Sequence, residues 1–316
     1  MTVRRRSLLL SGAAFAFSAG VGARGPAAAQ SAPLRVGVVT ADTYAEAHFA
    51  NHAGIFQQNG LAVELTVLAN AGTVTAAVAS GTLDIGMGSV GQLAGARENG
   101  LPLYLFAPGA QFNAKAPPAE LRVATTSTLQ TARDLNGKTI AVDNLHGLPQ
   151  ISTDTWLQKN GGDPSTIKYI EVPFPAMAAA LAAGRIDAAA IAEPALTGAR
   201  GSTRFFANTL EAIAPAFFIS VWFATKPWLD KNTATAHRFS TAITQTAQWA
   251  NTHHAESAPV LEAMTKVSHE VAITMNRAYF GTRLEPRLLD PILVVSQRYG
   301  ITKTVVSGSS MIYPGF

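Results

Sequence analysis

Short hydrophobic runs alternate with helix-like segments along most of the chain. The run from Leu34 to Val39, LRVGVV, is typical of a buried strand, and the strict alternation in LAVELTVL predicts a half-buried one. Between them we predict a helix that ends at Gly60. Thr43 and Glu46 have the spacing of a capping box, so Thr43 is expected to start that helix. Alternating strands and helices predict an α/β fold.

The same order of elements returns about a hundred residues later. The matching stretches are LRVGV with KTIAV, FQQNG with LQKNG, and AAVASGTLDIG with AALAAGRIDAA. Such a repeat predicts two similar lobes, each an open, mostly parallel sheet flanked by helices. Ligands of open α/β sheets bind outside the carboxyl ends of the strands, so we expect the site between the lobes.

The rest of the chain predicts a return to the first lobe. FFISVWFATKPW is strand-like, and the chain is then mainly helical to about Tyr299. We therefore assign residues 30–122 and 220–316 to lobe 1 and residues 123–219 to lobe 2. Hinge strands are expected near Leu121 to Ala124 and Ile219 to Ala224.

In this order, the repeated stretches resemble the periplasmic substrate-binding proteins of ABC importers. The similar branch is the NMT1-like and SsuA-like group related to taurine, alkanesulfonate, nitrate and thiamine-precursor binders. The motifs that carry the resemblance are HAGIFQQNGLAVEL, AAVASGTLDIGMGS, ENGLPLYLFA, DLNGKTIAV, AALAAGRIDAAAIAEP and WFATKPWL. The resemblance implies a two-lobed fold of the second periplasmic-binding type, which closes on a solute by a hinge.

The first 29 residues have the pattern of an export signal. Three arginines precede an apolar stretch, and the small-residue triplet ending at Ala29 is an expected cleavage site in an exported, periplasmic protein. Arg5 and Arg6 before Ser7 leave both Sec and twin-arginine export open. Of the 24 basic residues, four lie in this segment, which leaves 20 basic against 20 acidic residues and no nucleic-acid footprint. The chain has no cysteine, which excludes disulfides, thiolate metal sites, a cysteine nucleophile and a lipoprotein anchor.

DIGMGSVGQL carries a G-x-G-x-x-G spacing at Gly86, Gly88 and Gly91. A dinucleotide site is disfavoured, because the motif follows a later strand of the fold and the next strand ends without an acid. Ser89 and Gln92 form a second capping-box pattern, which predicts a helix from Val90 to Glu98. The start of that helix could bind a ligand, or the glycines could simply allow tight packing.

Strand ends supply the other candidates. Tyr44 could stack on a solute, His146 could bond to it, and Glu193 could accept a hydrogen bond from it. Alternatively, Thr43 only caps a helix, His146 is solvated, and Glu193 ends a strand or pairs with Arg200. The candidate ligand-binding residues are Thr43, Tyr44, Gly88, Ser89, Val90, Asn144, His146, Gly147 and Glu193.

Other chemistry has weaker support in the sequence. His48 and His52 have helical metal-site spacing but lack the Glu of H-E-x-x-H, and MGSVG is not a nucleophile elbow. Asp84 and Asp187 start equivalent strands and are expected to be structural. We expect a monomeric, non-enzymatic receptor without metal or cofactor that passes a small polar or anionic solute to an ABC permease. The alternatives are an enzyme like the pyrimidine-forming members of the superfamily and a receptor for a peptide or partner protein.

Overall fold

Two five-stranded sheets organise the chain. A computed structural model describes residues 1–2 and 32–316, so the proposed export signal lies outside the described residues except at its first two positions. Pro33–Phe316 forms one unit, which is described here. Its strands and helices follow the α/β order expected from the hydrophobic pattern.

Both sheets have the same architecture. The first contains, side by side, β2 (Val63–Leu68), β1 (Leu34–Val39), β3 (Ile85–Gly88), β11 (Val221–Thr225) and β4 (Leu103–Ala107). The second contains β8 (Lys168–Glu171), β7 (Thr139–Val142), β9 (Ala188–Ala192), β6 (Ala119–Ala124) and β10 (Thr203–Ala207). In each sheet the fourth strand of this order is antiparallel to its neighbours. A small two-stranded sheet pairs β5 (Ala110–Gln111) with β12 (Tyr279–Phe280).

Helices flank the sheets. They are α1 (Glu46–His52), α2 (Ile55–Gln58), α3 (Ala71–Ala79), α4 (Val90–Glu98), α5 (Leu148–Lys159), α6 (Phe174–Ala182), α7 (Ala195–Ala199), α8 (Lys226–Lys231), α9 (Thr233–Ala250), α10 (His254–Thr265), α11 (His269–Thr274), α12 (Pro286–Arg298) and α13 (Gly308–Met311). Short 3-10 turns occupy Asp42–Tyr44, Ala132–Leu135, Pro164–Thr166 and Leu210–Ala212. Within the described part of the chain, no helix is both long and apolar enough to span a membrane.

The internal repeat is confirmed at the level of single contacts. The Asp84 carboxylate accepts the Arg35 backbone N–H at 2.9 Å, and the Asp187 carboxylate accepts the Thr139 backbone N–H at 2.8 Å. Each aspartate thus fixes the start of the strand that follows it, β3 or β9, against the neighbouring parallel strand, β1 or β7. The structural role expected for these two residues is confirmed.

The helices of the C-terminal segment cover the first sheet, as the sequence predicts. Helix α9 packs on α1 and α2, and α12 packs on α4. Phe239 of α9 stacks on Phe56 with ring centroids 5.4 Å apart and meets Trp222 edge-on at 5.1 Å. The C-terminal helices therefore complete the core of the first sheet.

The chain crosses between the two sheets earlier than the sequence suggested. Strand β6 pairs along its length with β9, so the expected hinge Leu121 to Ala124 lies inside the second sheet. The two crossing segments instead meet beside Phe112, whose N–H donates to the Phe217 carbonyl at 2.8 Å and whose ring stacks on that of Phe217 at 5.2 Å. We keep the division into lobes as a proposal, with each sheet and its helices as one lobe and the crossing before Ala119.

The predicted Thr43 cap is wrong. Residues Asp42–Tyr44 form a 3-10 turn, and α1 starts at Glu46 with no side-chain cap. The physical reason lies with Glu46, whose carboxylate is fully buried and accepts the Trp222 indole N–H at 2.7 Å. This carboxylate therefore does not reach back to the helix start.

Gly86 and Gly88 serve close packing. A Cβ at position 86 would lie 2.6 Å from Val74 Cγ1 and 2.9 Å from the Phe223 ring, and one at position 88 would lie 2.9 Å from Phe223. Contacts this short leave no room for a side chain. The G-x-G spacing therefore reflects helix α3 and strand β11 packed directly against β3.

Gly86→Ala is expected to destabilise the protein by about 1–3 kcal/mol, because the added methyl group overpacks a tight core. Adding Val74→Ala should recover part of that loss, since Val74 is the nearest neighbour of the new methyl group. Urea denaturation would measure both variants. Gly201→Ala is the control, because a Cβ there meets nothing within 4 Å. Wild-type stability of Gly86→Ala would contradict this account of the glycine.

Candidate functional site

A small enclosed cavity of about 50 Å³ lies between the carboxyl ends of the two sheets. From the first sheet it is lined by the turn after β1 and the residue after β3, and from the second by the loop after β7 and by β9 and β6. Much of the wall is apolar, with Leu148, Leu210 and Ile219 among the lining residues. A site of this size suits a compact solute.

Four of the predicted residues line the cavity: Thr43, Tyr44, Ser89 and Asn144. Ser89 is the N-cap residue of α4, as predicted, but its side chain makes no cap hydrogen bond. Its hydroxyl is therefore available to a solute. Burial, together with the nearby Asp143 carboxylate, raises the pKa of the Tyr44 hydroxyl, so Tyr44 stays protonated and can donate.

Asn144 connects the two sheets across the cavity. Its carboxamide satisfies both neighbours when the nitrogen faces Asp143 and the oxygen faces Gln92. In this orientation Nδ2 donates to Asp143 Oδ2 at 3.0 Å, and the Gln92 amide donates to the Asn144 oxygen. Gln92, which we expected to cap α4, thus bonds Asn144 of the second sheet instead.

Four other predicted residues lie outside the cavity lining. Gly88 packs on Phe223, and Val90 is completely buried in the core. His146 is exposed, has a φ of 58°, and faces a separate open groove. A Cβ at Gly147 would lie 2.6 Å from the Asn144 carboxamide, so this glycine makes room for Asn144. Gly147 therefore acts on the cavity only through Asn144, and His146 lies away from it.

The prediction that Glu193 accepts a bond from the solute is not supported. The Glu193 carboxylate, 1% exposed, accepts the backbone N–H and the hydroxyl of Thr197 at 2.9 and 2.8 Å and lies 3.5 Å from Arg200. Its carbonyl accepts the Asp42 N–H at 3.2 Å. The bonds of Glu193 therefore hold together the region where the two sheets meet, which agrees with the alternative that it ends a strand or pairs with Arg200. Glu193 lines a different cavity.

Two carboxylates of the cavity were missed. Glu120 of β6 is paired with Arg122, whose Nη1 lies 2.7 Å from Glu120 Oε2. Asp143 follows β7 directly, and no basic side chain of the described residues pairs with it. Burial, with a smaller contribution from Glu171, raises the pKa of Asp143 to about 7. Asp143 could have been predicted in the same way as Asn144, because both residues come directly after a parallel strand, where ligands of open α/β sheets bind.

Two hydroxyl groups connect helix α5 to the segment before the turn at Leu210–Ala212, on the second-sheet side of the cavity. Ser152 of α5 and Thr209, both lining the cavity, are 3.0 Å apart between their oxygens. Ser152 also donates to the Pro149 carbonyl at 3.0 Å. These hydroxyls fix the position of α5 relative to the turn at Leu210–Ala212.

No cluster of metal-ligating side chains occurs in the described residues. Among residues 32–316, no three histidine, aspartate or glutamate side chains come together as a metal site. His48 and His52 line a surface groove with Val260 and Met264. The half-buried His48 ring has a pKa lowered by burial.

Solved structures share this two-sheet architecture, which is the periplasmic-binding-protein fold. The periplasmic aliphatic sulphonate binding protein SsuA from Escherichia coli has a TM-score of 0.72 at 17% identity, covering 89% of this chain and 92% of that one. The alkanesulfonate-binding protein SsuA from Xanthomonas axonopodis pv. citri, bound to MOPS, has a TM-score of 0.72 at 18% identity, with 90% and 99% coverage. The periplasmic nitrate-binding protein NrtA from Synechocystis PCC 6803 has a TM-score of 0.72 at 15% identity, with 88% and 84% coverage.

The family model for NMT1/THI5-like proteins matches residues 43–257, and the chain belongs to this family. The family resemblance seen in the sequence is thereby confirmed. No curated protein matches the chain significantly.

Proposed function

We propose that the protein is the periplasmic solute receptor of an ABC importer and delivers a compact solute to a membrane permease. The observation that carries this proposal is the enclosed cavity between the two sheets, which receives polar groups from both of them. The structurally similar proteins are named as binding proteins for sulphonates and nitrate, which supports the same kind of role.

Binding would be coupled to closing of the two lobes. Gln92 and Asn144 already join the two walls, and Tyr299 of the first lobe donates to Gln158 of the second at 2.9 Å. The stacked Phe112 and Phe217 at the crossing provide the proposed hinge. A wrong solute would leave buried polar groups unpaired, which penalises its binding without any catalytic residue.

The charge of the cavity narrows the solute class. The charged lining residues within the described chain are Glu120 and Asp143, and no arginine or lysine lines the cavity. Sulfonates, nitrate and aromatic acids therefore lose support as solutes, because an anion would lie beside carboxylates in an enclosed site. Polar solutes that can donate hydrogen bonds fit better.

The enzyme alternative has less support. The pyrimidine-forming enzymes of the superfamily carry a cysteine-rich motif, whereas this chain has no cysteine. The cavity lining also contains no histidine among the described residues, and no hydrogen bond joins Ser89 or Ser152 to a carboxylate that could activate it. A peptide or partner protein is disfavoured by the small enclosed volume of the cavity.

Thermal unfolding of residues 30–316 with a panel of small solutes tests the receptor proposal. The panel would contain alkylamines, pyrimidines, amino acids, taurine, alkanesulfonates, nitrate and aromatic acids. A solute at about a hundred times its Kd should add about 2.7 kcal/mol, a shift of a few degrees. The proposal fails if no solute in a broad panel changes the midpoint.

Ala119→Leu is expected to abolish the solute-induced shift, because the larger side chain fills part of the cavity. Ala178→Leu is the matched control, since Ala178 is also half-buried but lines the separate cavity beside Glu193. Calorimetric titration of both variants would measure the loss. Retained binding in Ala119→Leu with loss in Ala178→Leu would place the solute in the other cavity.

A further inference from the structure

Asp143 is the one cavity carboxylate without a basic partner among the described residues. It follows β7 directly, at the edge where both sheets end, and it lines the cavity. Asn144 Nδ2 donates to its two oxygens at 3.0 and 3.2 Å. A carboxylate oxygen can accept more than one hydrogen bond, so Asp143 retains acceptor capacity towards the cavity.

The second carboxylate is already neutralised. Arg122 binds Glu120 at 2.7 Å and donates its other N–H groups to the hydroxyl and carbonyl of Thr203 at 3.2 and 2.8 Å. Arg122 is therefore fully engaged in the second sheet. The uncompensated charge of the cavity is that of Asp143.

The opposite wall offers hydroxyls and an aromatic ring. Ser89 is 4% exposed and Thr43 is 6% exposed, and neither side-chain hydroxyl has a hydrogen bond within the described residues, although both residues line the cavity. Both hydroxyls are therefore free to bond a solute in the cavity. The rings of Tyr44 and Phe174 also line the cavity and can face a cation.

We propose that the solute is a compact organic cation of the alkylammonium or amidinium type, whose charged N–H group donates to the Asp143 carboxylate and whose body lies against Tyr44 and Phe174. This inference rests on the proposed receptor function and adds the charge of the solute. Ser89 and Thr43 then accept the remaining N–H groups. The apolar wall accommodates the carbon part of the solute.

The inference predicts a pH dependence of defined sign. Because burial raises the pKa of Asp143 to about 7, a cation that needs the ionised carboxylate displaces a proton. Its affinity rises roughly tenfold from pH 6 to pH 8. An anion would instead favour the protonated carboxyl group and bind more weakly as the pH rises. The ionisable groups that act on Asp143 are Tyr44, which stays protonated, and Glu171 on β8. The other carboxylate of the cavity, Glu120, is paired with Arg122.

Two sets of isosteric probes test the charge directly by calorimetric titration of residues 30–316. The first set is guanidinium, urea and nitrate, which share a planar trigonal shape, and the second is acetamidinium, acetamide and acetate. At millimolar concentrations we expect the cation of each set to bind tightest. Titration at pH 7 in buffers of different ionisation enthalpy should show release of about half a proton per cation.

Asp143→Asn is expected to weaken cation binding by roughly 30-fold or more and to remove its pH dependence. Asp154→Asn is the matched control, because Asp154 is another buried carboxyl of the second lobe but bonds Tyr169 at 2.6 Å outside the cavity. His146→Gln is a second control, because His146 lines a separate open groove and not the cavity. Circular dichroism would check that all three variants are folded.

Tightest binding of nitrate or acetate, with affinity that falls as the pH rises, would overturn the cation inference and leave the receptor proposal standing. Equal binding of urea and guanidinium, unchanged in Asp143→Asn, would overturn it as well. Failure of all six probes also overturns it. The receptor proposal itself fails only if the broad solute panel gives no shift either.

Discussion

Trp222→Ala is expected to destabilise the protein by about 3–5 kcal/mol, the largest stability loss that we predict for a single substitution. Trp222 lies in β11, between β3 and β4, and is completely buried. Its ring packs edge-on against Phe239, and its N–H is the hydrogen-bond donor to the buried Glu46 carboxylate. Alanine would leave a large cavity and an unpaired carboxyl group in the same place.

Urea denaturation of three variants separates these two causes. Trp222→Phe keeps much of the apolar volume but removes the donor, so it should cost about 1–3 kcal/mol for the orphaned Glu46 group. Trp156→Ala is the control for removal of a tryptophan, since Trp156 is only half-buried and packs on Phe206. A Trp222→Ala loss no larger than that of Trp156→Ala would contradict the packing argument.

Glu46→Gln is expected to stabilise the protein at neutral and alkaline pH. Burial raises the pKa of Glu46 well above its ordinary value, and the bond from Trp222 offsets this only in part. The folded protein therefore holds a proton that the unfolded chain releases, so stability falls as the pH rises from the ordinary glutamate pKa through the raised one. Glutamine can still accept the indole N–H but carries no ionisable proton.

The size of this effect follows from linkage, since each unit of pKa shift corresponds to about 1.4 kcal/mol at high pH. Stability curves from pH 4 to pH 9 would measure the difference between Glu46→Gln and the wild type. The raised pKa values of Asp143 and Asp154 contribute to both curves and cancel in that difference. Glu64→Gln on the exposed side of β2 is the control. A difference that does not grow with pH would show that Glu46 is ionised in the fold.

Much of the fold could be predicted because its signals are local. The run from Leu34 to Val39 is strand β1 with the same bounds, and the helix from Val90 to Glu98 is α4. Gly60 and Gly161, which end equivalent helical segments of the repeat, both have the left-handed backbone of a C-terminal stop, with φ of 66° and 80°. The bounds of these strands and helices could be predicted because the side-chain patterns that determine them repeat within a few residues.

The candidate site could be predicted only in part. Tyr44, Ser89 and Asn144 were found because they follow parallel strands, whereas Glu120 comes from the antiparallel strand β6, whose place in the sheet no local pattern indicates. Glu193 was misjudged because its carboxylate bonds Thr197 in the helix that follows and Asn276 in a distant segment, and no local pattern indicated either contact. The Thr43 cap failed for a similar reason, since Glu46 bonds to a tryptophan far away in sequence.

The place of β11 in the first sheet determines the order in which the chain can fold. This strand separates β3 from β4, yet it follows the whole second sheet in sequence. During synthesis β2, β1 and β3 can pair with one another, but the edges of β3 and β4 that face β11 stay unpaired until Val221–Thr225 has been made. A nascent chain that ends before Val221 therefore cannot complete its first sheet. The second sheet, whose five strands lie between Ala119 and Ala207, can form earlier, so the later-synthesised lobe is the first that can be complete.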